Sequence, residues 1–497
     1  MHLFGESITL VSAIFLVLAL LLALGFEFVN GFHDTANAVA TVIYTHSLPP
    51  NIAVALSGCL NLLGVLLSSG AVAYSIVSLL PVELVLNVGS GAGFAMVFAL
   101  LLAAIIWNLG TWWLGLPASS SHTLVGSIMG VGLANSLVTP GHVFGEGVNW
   151  SKASEVFQGL LISPLIGFFA AGALLLLFKL VIRIPALYQA PDPVKGPPLW
   201  IRLLLICTCS GVSFFHGSND GQKGMGLIVL ILVGIMPAAF ALNPSAGPQD
   251  LSAIVEQAKT IQPFLDTKAP LMQVSGEDAI DELSNYMKPA ATVPSDRLWD
   301  ALAGKNKEIA GELAGKNSFH DLTPDQRRNV RRDLYLESET LGKLVKKKEI
   351  TDPADLAAIK KLTTSFNAET KYIPTWVKVA VALALGLGTM IGWKRIVVTV
   401  GEKIGKEHLT YAQGASAEIV AMACIGVADN YGVPVSTTHV LSSGVAGTMA
   451  ANRSGLQMGT LRNLLLAWVL TLPVCVVLGA ALFSGSFYIL LHVFGVK

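Results

Sequence analysis

The chain has 497 residues, of which 53% are hydrophobic and only 13% are charged, against about 25% charged residues in a typical soluble domain. Its formal net charge is zero, so it lacks the concentrated basic surface that nucleic-acid binding requires. Its five cysteines lie in apolar stretches without a C-x-x-C pair, which argues against a disulfide framework or a thiolate metal site. The composition favours a protein that crosses a membrane several times.

Ten apolar segments, each long enough to be a membrane element, follow one another along the chain. They cover residues 8–44, 52–80, 94–116, 119–138, 157–182, 203–242, 374–393, 410–430, 435–452 and 463–495. Only helices or closed barrels satisfy the backbone in lipid, and these segments lack the alternation of barrel strands. We therefore predict an all-α polytopic membrane protein with about 10–12 transmembrane elements. Segments 8–44 and 203–242 exceed the about 20 residues of one pass, so we expect broken or re-entrant helices there.

Residues 243–373 differ from the rest, because they hold 18 of the 32 Lys and Arg and 20 of the 32 Asp and Glu. We predict a soluble insert of short amphipathic helices, one of which begins at the pattern TPDQ of residues 323–326. Basic residues in the loops 183–202, 394–411 and 452–462 favour the cytoplasmic side for these loops. The insert would then lie outside, unless one of the long segments crosses twice.

Two motifs each occur twice in the chain. FVNGFHDTAN (28–37) aligns with FFHGSNDGQK (214–223) at an offset of 186 residues. GLPASSSH (115–122) aligns with GVPVSTTH (432–439) at an offset of 317 residues. The offsets differ by 131 residues, which is the length of the insert, so one duplication explains both.

We therefore expect two homologous membrane halves. Residues 1–182 form the first half, 183–202 a basic connecting loop, 203–242 and 374–497 the second half, and 243–373 the insert within it. Five predicted elements separate each motif from its copy, and an odd number places the copies in opposite orientation. That is the inverted-repeat plan of secondary transporters, whose substrate site lies between the halves; a duplication kept only for packing is the alternative.

Asp34 and Asp220 occupy equivalent positions of the first motif inside apolar surroundings. Carboxylates in a membrane are costly unless they are paired or hold a cation, so the pair indicates an ion-binding or coupling site. Gly31 and Gly217 are predicted helix breaks that expose backbone groups to ions. Lys223 follows Asp220 by three residues and would supply a fixed positive charge.

The triplets Ser119-Ser120-Ser121 and Ser436-Thr437-Thr438 each follow a proline by two residues. We expect each triplet to begin a helix, where free N–H groups and neighbouring hydroxyls form an oxyanion site. Two such helix starts that face each other would hold one tetrahedral oxyanion. Capping of the helix by the hydroxyls is the alternative for either triplet alone.

Other ionisable residues stand in apolar segments. His122 and His439 follow the triplets and either handle protons or pack as neutral rings. His33 and His216 lie in the first motif and its copy at non-equivalent positions, and His33 is a further candidate for ion binding or coupling. Glu418 has no repeat equivalent, because the aligned residue is Leu101, so a coupling role and a simple hydrogen bond are equally open.

Charge balance favours symport. Two carboxylates and a doubly charged oxyanion total about −4 in a medium of low dielectric constant, which cannot stand uncompensated. Protons, Lys223, a monovalent cation or a divalent metal must therefore accompany the anion.

These motifs resemble the inorganic phosphate transporters of the PiT type, and most closely the bacterial low-affinity Pit permeases. The resemblance covers nearly the whole chain except the insert. Its stretches are GFHDTANAVATVIYT (31–45), AAIIWNLGTWWLGLPASSSHTLVGSIMGVGL (103–133), GVSFFHGSNDGQKGMGLI (211–228), ALALGLGTMIGWKR (382–395), GEKIGK (401–406) and GVPVSTTHVLSSGVAGTMA (432–450). The resemblance implies an inverted-repeat fold in the cytoplasmic (inner) membrane and inward symport of phosphate. It also implies proton coupling, no resident cofactor or fixed metal, and cargo that includes neutral complexes of phosphate with Mg²⁺ or a similar divalent metal.

By motif position, the resemblance assigns Asp34, Asn37 and Asp220 to the ion and phosphate site and the six triplet hydroxyls to phosphate. Sodium-coupled relatives usually carry Asn-Asp where this chain has His33-Asp34, and an amide where it has Lys223. Both changes replace neutral oxygen ligands with ionisable nitrogen, so we predict coupling to H⁺ rather than Na⁺.

Several alternatives remain at this point. A permease for sulfate or another tetrahedral oxyanion would use the same hydroxyls and helix ends. A Na⁺-coupled phosphate symporter would use the same aspartates. An intramembrane hydrolase is disfavoured, because the chain has no H-E-x-x-H and no G-x-S-x-G motif. A receptor built on an inactive transporter is disfavoured by the two intact aspartates, and a homo-oligomer is left open.

Overall fold

The computed structural model describes residues 2–3, 6–80, 90–138, 143–146, 148–192, 196–269, 274–287 and 294–492. The chain forms two compact units. The larger unit comprises Leu18–Leu80, Ala95–Ile228 and Pro374–Lys497, and the smaller one contains Val229–Ile373 with the insert. The predicted boundaries between the two repeats stay a prediction.

The described structure is helical apart from the antiparallel strands β1 (His2–Leu3) and β2 (Glu6–Ser7). In the first part of the chain the helices are α1 (Leu10–Tyr44), α2 (Pro50–Leu67), α3 (Ala71–Val77), α4 (Gly91–Trp113), α5 (Ser120–Val138), α6 (Trp150–Val181), α7 (Leu199–Ile235) and α8 (Pro237–Phe240). The insert contributes α9 (Pro248–Lys268), α10 (Gly276–Met287), α11 (Asp296–Leu313), α12 (Pro324–Lys346) and α13 (Pro353–Thr370). The last part contributes α14 (Thr375–Met390), α15 (Lys394–Glu402), α16 (Tyr411–Asn430), α17 (Thr437–Asn452) and α18 (Met458–His492). Short 3₁₀ turns lie at Pro185–Leu187 and Phe319–Asp321.

Among the described residues, seven helices are long and apolar enough to cross a membrane: α1, α2, α4, α6, α7, α16 and α18. The count reaches eight if the bent pair α13 and α14 is one span. The prediction of an all-α polytopic membrane protein is confirmed. Several of the ten apolar segments, including those of α5 and α17, fold as helices that do not meet the length and hydropathy of a full span.

The predicted breaks at Gly31 and Gly217 are wrong, because both residues lie inside the continuous helices α1 and α7. A Cβ atom added at Gly31 would overlap the carbonyl oxygen of Leu385 in α14. One added at Gly217 would overlap the carbonyl oxygen of Asn61 in α2. These glycines therefore permit close helix contact, which small residues commonly provide in membrane proteins.

Helix contacts in the larger unit are reciprocal between the two parts of the chain. Helix α5, which carries the first triplet, packs against α18, and α17, which carries the second, packs against α6. Since α6 follows α5 and α18 follows α17, each triplet helix packs on the follower of its counterpart. Two related halves that exchange equivalent contacts would produce this pattern; the inverted orientation stays a prediction.

The insert folds around an apolar core of its own, as its amphipathic sequence predicts. The core is built from buried residues of α9 to α13, including Leu283, Leu302, Leu334 and Phe366. The predicted helix start is confirmed, because α12 begins at Pro324 and residues 323 and 326 form a capping box.

Candidate functional site

The triplets stand at helix starts, as the sequence predicts. Ser119 Oγ accepts a hydrogen bond from the backbone N–H of His122 at 3.2 Å, at the start of α5. Ser436 Oγ accepts one from the N–H of His439 at 3.1 Å, at the start of α17. The first hydroxyl of each triplet is thus a helix cap, while the other two hydroxyls of each triplet remain for different contacts.

The two helix starts meet inside the larger unit. Ser121 Oγ donates to the carbonyl oxygen of Val435, one residue before the second triplet, at 2.9 Å. All six triplet residues are buried, and Thr437 Oγ1 has no hydrogen-bond partner among the described residues. The sequence repeat therefore corresponds to two polar helix starts that share one buried region.

Asp34 and Asp220 lie in the buried region where the two helix starts meet. Ser120 Oγ is 3.1 Å from Asp34 Oδ2 and 3.1 Å from Asp220 Oδ2. Thr438 Oγ1 donates to the other carboxylate oxygen of Asp34. One hydroxyl has one proton, so Ser120 bonds to one carboxylate at a time and the facing oxygens require a cation or a proton between them.

Lys223 supplies one of these cations. Its Nζ lies 2.7 Å from Asp220 Oδ2 and donates to Ser120 Oγ at 3.2 Å. The side chain is fully buried, so the ion pair is poorly screened. Two carboxylates and one ammonium give this cluster a formal charge of −1.

Two histidines turn a nitrogen toward the aspartates. His216 Nε2 is 3.8 Å from Asp34 Oδ2 and 3.6 Å from Asp220 Oδ2. His33 Nδ1 is 3.7 Å from Asp34 Oδ1, and its Nε2 is 3.1 Å from Thr111 Oγ1. Sequence reasoning gave His216 no role; its i,i+4 spacing from Asp220 on one helix was the available signal.

Asn61 of α2 is a further contact that sequence reasoning missed. Its Oδ1 lies 2.9 Å from His216 Nδ1, and its Nδ2 donates to Thr389 Oγ1 at 2.9 Å. An amide in the middle of a mostly apolar helix was the signal in the sequence.

Three other residues singled out in the sequence lie in different surroundings. Glu418 is buried and accepts hydrogen bonds from Thr41 and Thr208, and Thr41 is seven residues from Asp34, or about 10 Å along α1. The rings of His122 and His439 contact each other at a tilt of 37° with centroids 4.7 Å apart, and His439 stacks on Trp468 at 4.2 Å. The side chain of Asn37 lies outside the described residues.

The larger unit is a helical membrane assembly that buries carboxylates, imidazoles and an ammonium together with hydroxyl-bearing helix starts. Ionisable residues inside a membrane protein mark pathways for ions and substrates, and helix starts bind oxyanions. The fold and the site together define a membrane transporter.

Comparison with known proteins identifies the family. Residues 30–479 match the phosphate transporter family. The chain is 44% identical to the low-affinity inorganic phosphate transporter PitA of Escherichia coli over 97% of this chain and 98% of that protein, and 42% identical to PitB of the same organism over 95% and 96%. The chain therefore belongs to the phosphate transporter family and is a transporter rather than an enzyme.

A solved structure has the same fold. A sodium-dependent phosphate transporter superposes with a TM-score of 0.52 at 20% identity, over 95% of this chain and 98% of that chain. At this identity the likeness extends to the fold alone.

Proposed function

We propose that this protein imports inorganic phosphate together with protons, and with a divalent metal as a neutral metal–phosphate complex, across the cytoplasmic (inner) membrane. The observation that carries the proposal is the position of Ser120, whose hydroxyl lies 3.1 Å from both Asp34 and Asp220. Groups suited to an anion and groups suited to cations therefore share one buried place, as symport requires.

The helix starts of α5 and α17 support phosphate as the anion. Each offers first-turn N–H groups and hydroxyls, which are donors of the kind that bind phosphate oxygens. Thr437 Oγ1 is buried without a partner in the described part of the chain, so it is available to a ligand. Lys223 adds a cationic donor next to Ser120.

Charge supports a neutral complex as the cargo. The cluster of Asp34, Asp220 and Lys223 carries a formal charge of −1, and a phosphate dianion alone would make it −3. A complex of a divalent cation with HPO₄²⁻ adds no net charge and avoids this electrostatic cost.

The nitrogen atoms around the aspartates support protons as the coupling ion. His33, His216 and Lys223 surround carboxylates that would face neutral oxygen ligands in a sodium site. Hard cations prefer oxygen ligands, whereas imidazole binds and releases protons near neutral pH.

The test is uptake of labelled phosphate into proteoliposomes under imposed pH or Na⁺ gradients, with and without Mg²⁺. Accumulation driven by the pH gradient, independent of Na⁺ and raised by Mg²⁺ is expected. Uptake that requires Na⁺ and ignores the pH gradient would replace proton coupling with sodium coupling. Strong competition by sulfate would favour a general oxyanion permease.

A further inference from the structure

We propose that Asp34, His216 and Asp220 form a coordination site for the divalent metal of the cargo, and that its imidazole ligand favours Mn²⁺ or Zn²⁺ over Mg²⁺. The metal's role as cargo rests on the proposed function, but the binding site can be tested separately. The sequence predicts no fixed metal site, so this assignment comes from the structure.

The three side chains are arranged as metal ligands. One donor atom from each lies within 4.8 Å of the others, and all three residues are buried. Metal–ligand bonds of about 2.0–2.2 Å place neighbouring ligand atoms about 3–3.5 Å apart. His216 Nε2 lies 3.6 Å from Asp220 Oδ2 and 3.8 Å from Asp34 Oδ2, so only a small closure would bring the imidazole and the two carboxylates around one ion.

A chain of hydrogen bonds determines which nitrogen of His216 is free. Thr389 Oγ1 donates to the carbonyl oxygen of Leu385 at 2.8 Å, so its oxygen accepts from Asn61 Nδ2. Asn61 must then present Oδ1 to His216, and the proton of the neutral ring lies on Nδ1. The lone pair of Nε2 therefore faces Asp34 and Asp220, and a second partner that orients the ring in this way is typical of metal-binding histidines.

Two of the donor atoms lack partners. His216 Nε2 and Asp220 Oδ1 are buried without a hydrogen bond among the described residues. A lone pair and carboxylate oxygens that face one another repel unless a proton or a cation lies between them. Lys223 lies at Oδ2 of Asp220, so a metal would share that oxygen with the ammonium or bind Oδ1, which has no hydrogen bond among the described residues.

The surroundings leave room in the coordination sphere for phosphate. Three protein ligands leave positions open to a fourth ligand, and Ser120 and Thr438 hold hydroxyls against the same carboxylate of Asp34. A phosphate held by these hydroxyls would be placed to share the metal. Metal and phosphate would thus bind as one unit.

The ligand types determine the metal preference. Imidazole suits Zn²⁺ well and Mn²⁺, the weakest binder of the first-row series, less strongly, whereas Mg²⁺ prefers oxygen ligands and retains its waters. We therefore expect tighter binding of Mn²⁺ and Zn²⁺ than of Mg²⁺, and a metal-bound nitrogen.

The experiment is Mn²⁺ binding to the full-length purified protein, followed by electron paramagnetic resonance, with electron spin-echo envelope modulation to detect a coordinated ¹⁴N nucleus. Wild-type protein should bind Mn²⁺ with one nitrogen ligand. His216→Gln should lose the nitrogen signal and bind Mn²⁺ at least about tenfold more weakly. His408→Gln, at an exposed position, is the matched control and should leave both unchanged.

Variants of Asn61 test whether its hydrogen bond orients the His216 ring for metal binding. Asn61→Asp keeps an acceptor for His216 Nδ1 and should retain the nitrogen signal. Asn61→Leu removes the acceptor and should weaken Mn²⁺ binding about 10–100-fold, as loss of outer hydrogen-bond partners commonly does.

The outcomes distinguish the site from the transport function. Mn²⁺ bound to wild-type protein through oxygen alone, or a nitrogen signal that persists in His216→Gln, overturns the site even if phosphate uptake is normal. A nitrogen-ligated Mn²⁺ in protein that takes up no phosphate overturns the proposed function and leaves the site. Phosphate uptake with no co-transport of ⁵⁴Mn overturns the metal's role as cargo.

Discussion

Both carboxylate oxygens of Asp34 accept hydrogen bonds, and the two donors come from different halves of the chain. Ser120 of α5 lies at Oδ2, and Thr438 of α17 donates to Oδ1. Asp34 is therefore the residue through which the two triplet helix starts and the buried carboxylates are most directly connected.

Removing the charge of Asp34 should abolish coupled transport of phosphate. Asp34→Asn keeps the size of the side chain but loses the negative charge that attracts cations, so we expect no accumulation of phosphate in proteoliposomes. Size-exclusion chromatography should show that the variant is folded and monodisperse. Normal accumulation by a folded Asp34→Asn protein would contradict the proposed coupling role.

Hydroxyls within one triplet should differ in their effects. Thr437→Val preserves shape and removes a hydroxyl that has no partner among the described residues, so it should raise the apparent KM for phosphate about tenfold, as loss of a hydrogen bond to a charged group does. Ser436→Ala should weaken both phosphate affinity and stability, because Ser436 also caps α17. Uptake kinetics and thermal unfolding of both variants test this, and an unchanged KM in Thr437→Val would remove Thr437 from the site.

At the scale of elements, the contact of α1 with α14 depends on the absence of a side chain at Gly31. Gly31→Ala would press a methyl group into the backbone of α14 at Leu385 and Thr389, so we expect a lower melting temperature of the purified protein. Gly25→Ala in the same helix is the matched control, because a Cβ there meets nothing within 4 Å. It should be neutral or slightly stabilising, since Ala favours helix over Gly. Equal melting temperatures for the two variants would contradict the close-contact role.

Helix α12 of the insert contains an acid that should make the insert sensitive to pH. Burial and the nearby Asp333 raise the pKa of Glu337 well above its ordinary value, and neither carboxyl oxygen has a partner in the described part of the chain. The protonated form is thus favoured in the folded state. Its contribution to stability is fully present below the unfolded pKa and is lost as the pH rises through the folded pKa.

Hydrogen–deuterium exchange of the full chain tests the pH effect. After correction for intrinsic rates, α12 should be better protected at pH 5 than at pH 8. Glu337→Gln stays neutral and should reduce this difference while raising protection at pH 8. An identical pH dependence in the variant would show that Glu337 is not the responsible group.

At the scale of the whole molecule, the proposed cargo determines the charge moved in each cycle. A neutral metal–phosphate complex moves no charge, so each cycle carries inward one positive charge for every proton that accompanies the complex. An inside-negative potential, set by valinomycin and a K⁺ gradient, should therefore increase initial uptake in proteoliposomes. Uptake that does not respond to the potential would contradict the joint transport of a neutral complex and protons.

The sequence carried enough information to predict the fold class and the meeting of the repeated motifs. The two offsets, 186 and 317, identified Asp34, Asp220 and both triplets, because a duplication reveals itself as sequence similarity before any packing is known. The contact between Asn61 and His216 could not be predicted, since it depends on how closely α2 approaches α7. The same holds for Gly31 and Gly217, because a glycine in a sequence does not reveal whether it breaks a helix or admits a neighbour.

The sharing of Asp34 between α5 and α17 has a consequence for fragments of this protein. Neither half of the chain contains a complete set of contacts, so a polypeptide that ends before the insert and another that begins after it should each be inert alone. A cut at the insert separates the motifs that meet in the folded protein, because Asp34 and Ser120 precede the insert and Thr438 follows it. Co-expression of the two pieces should restore uptake through complementation. A substitution of Asp34 in the first piece or of Thr438 in the second should prevent this restoration, because the other piece contains no second copy of that residue.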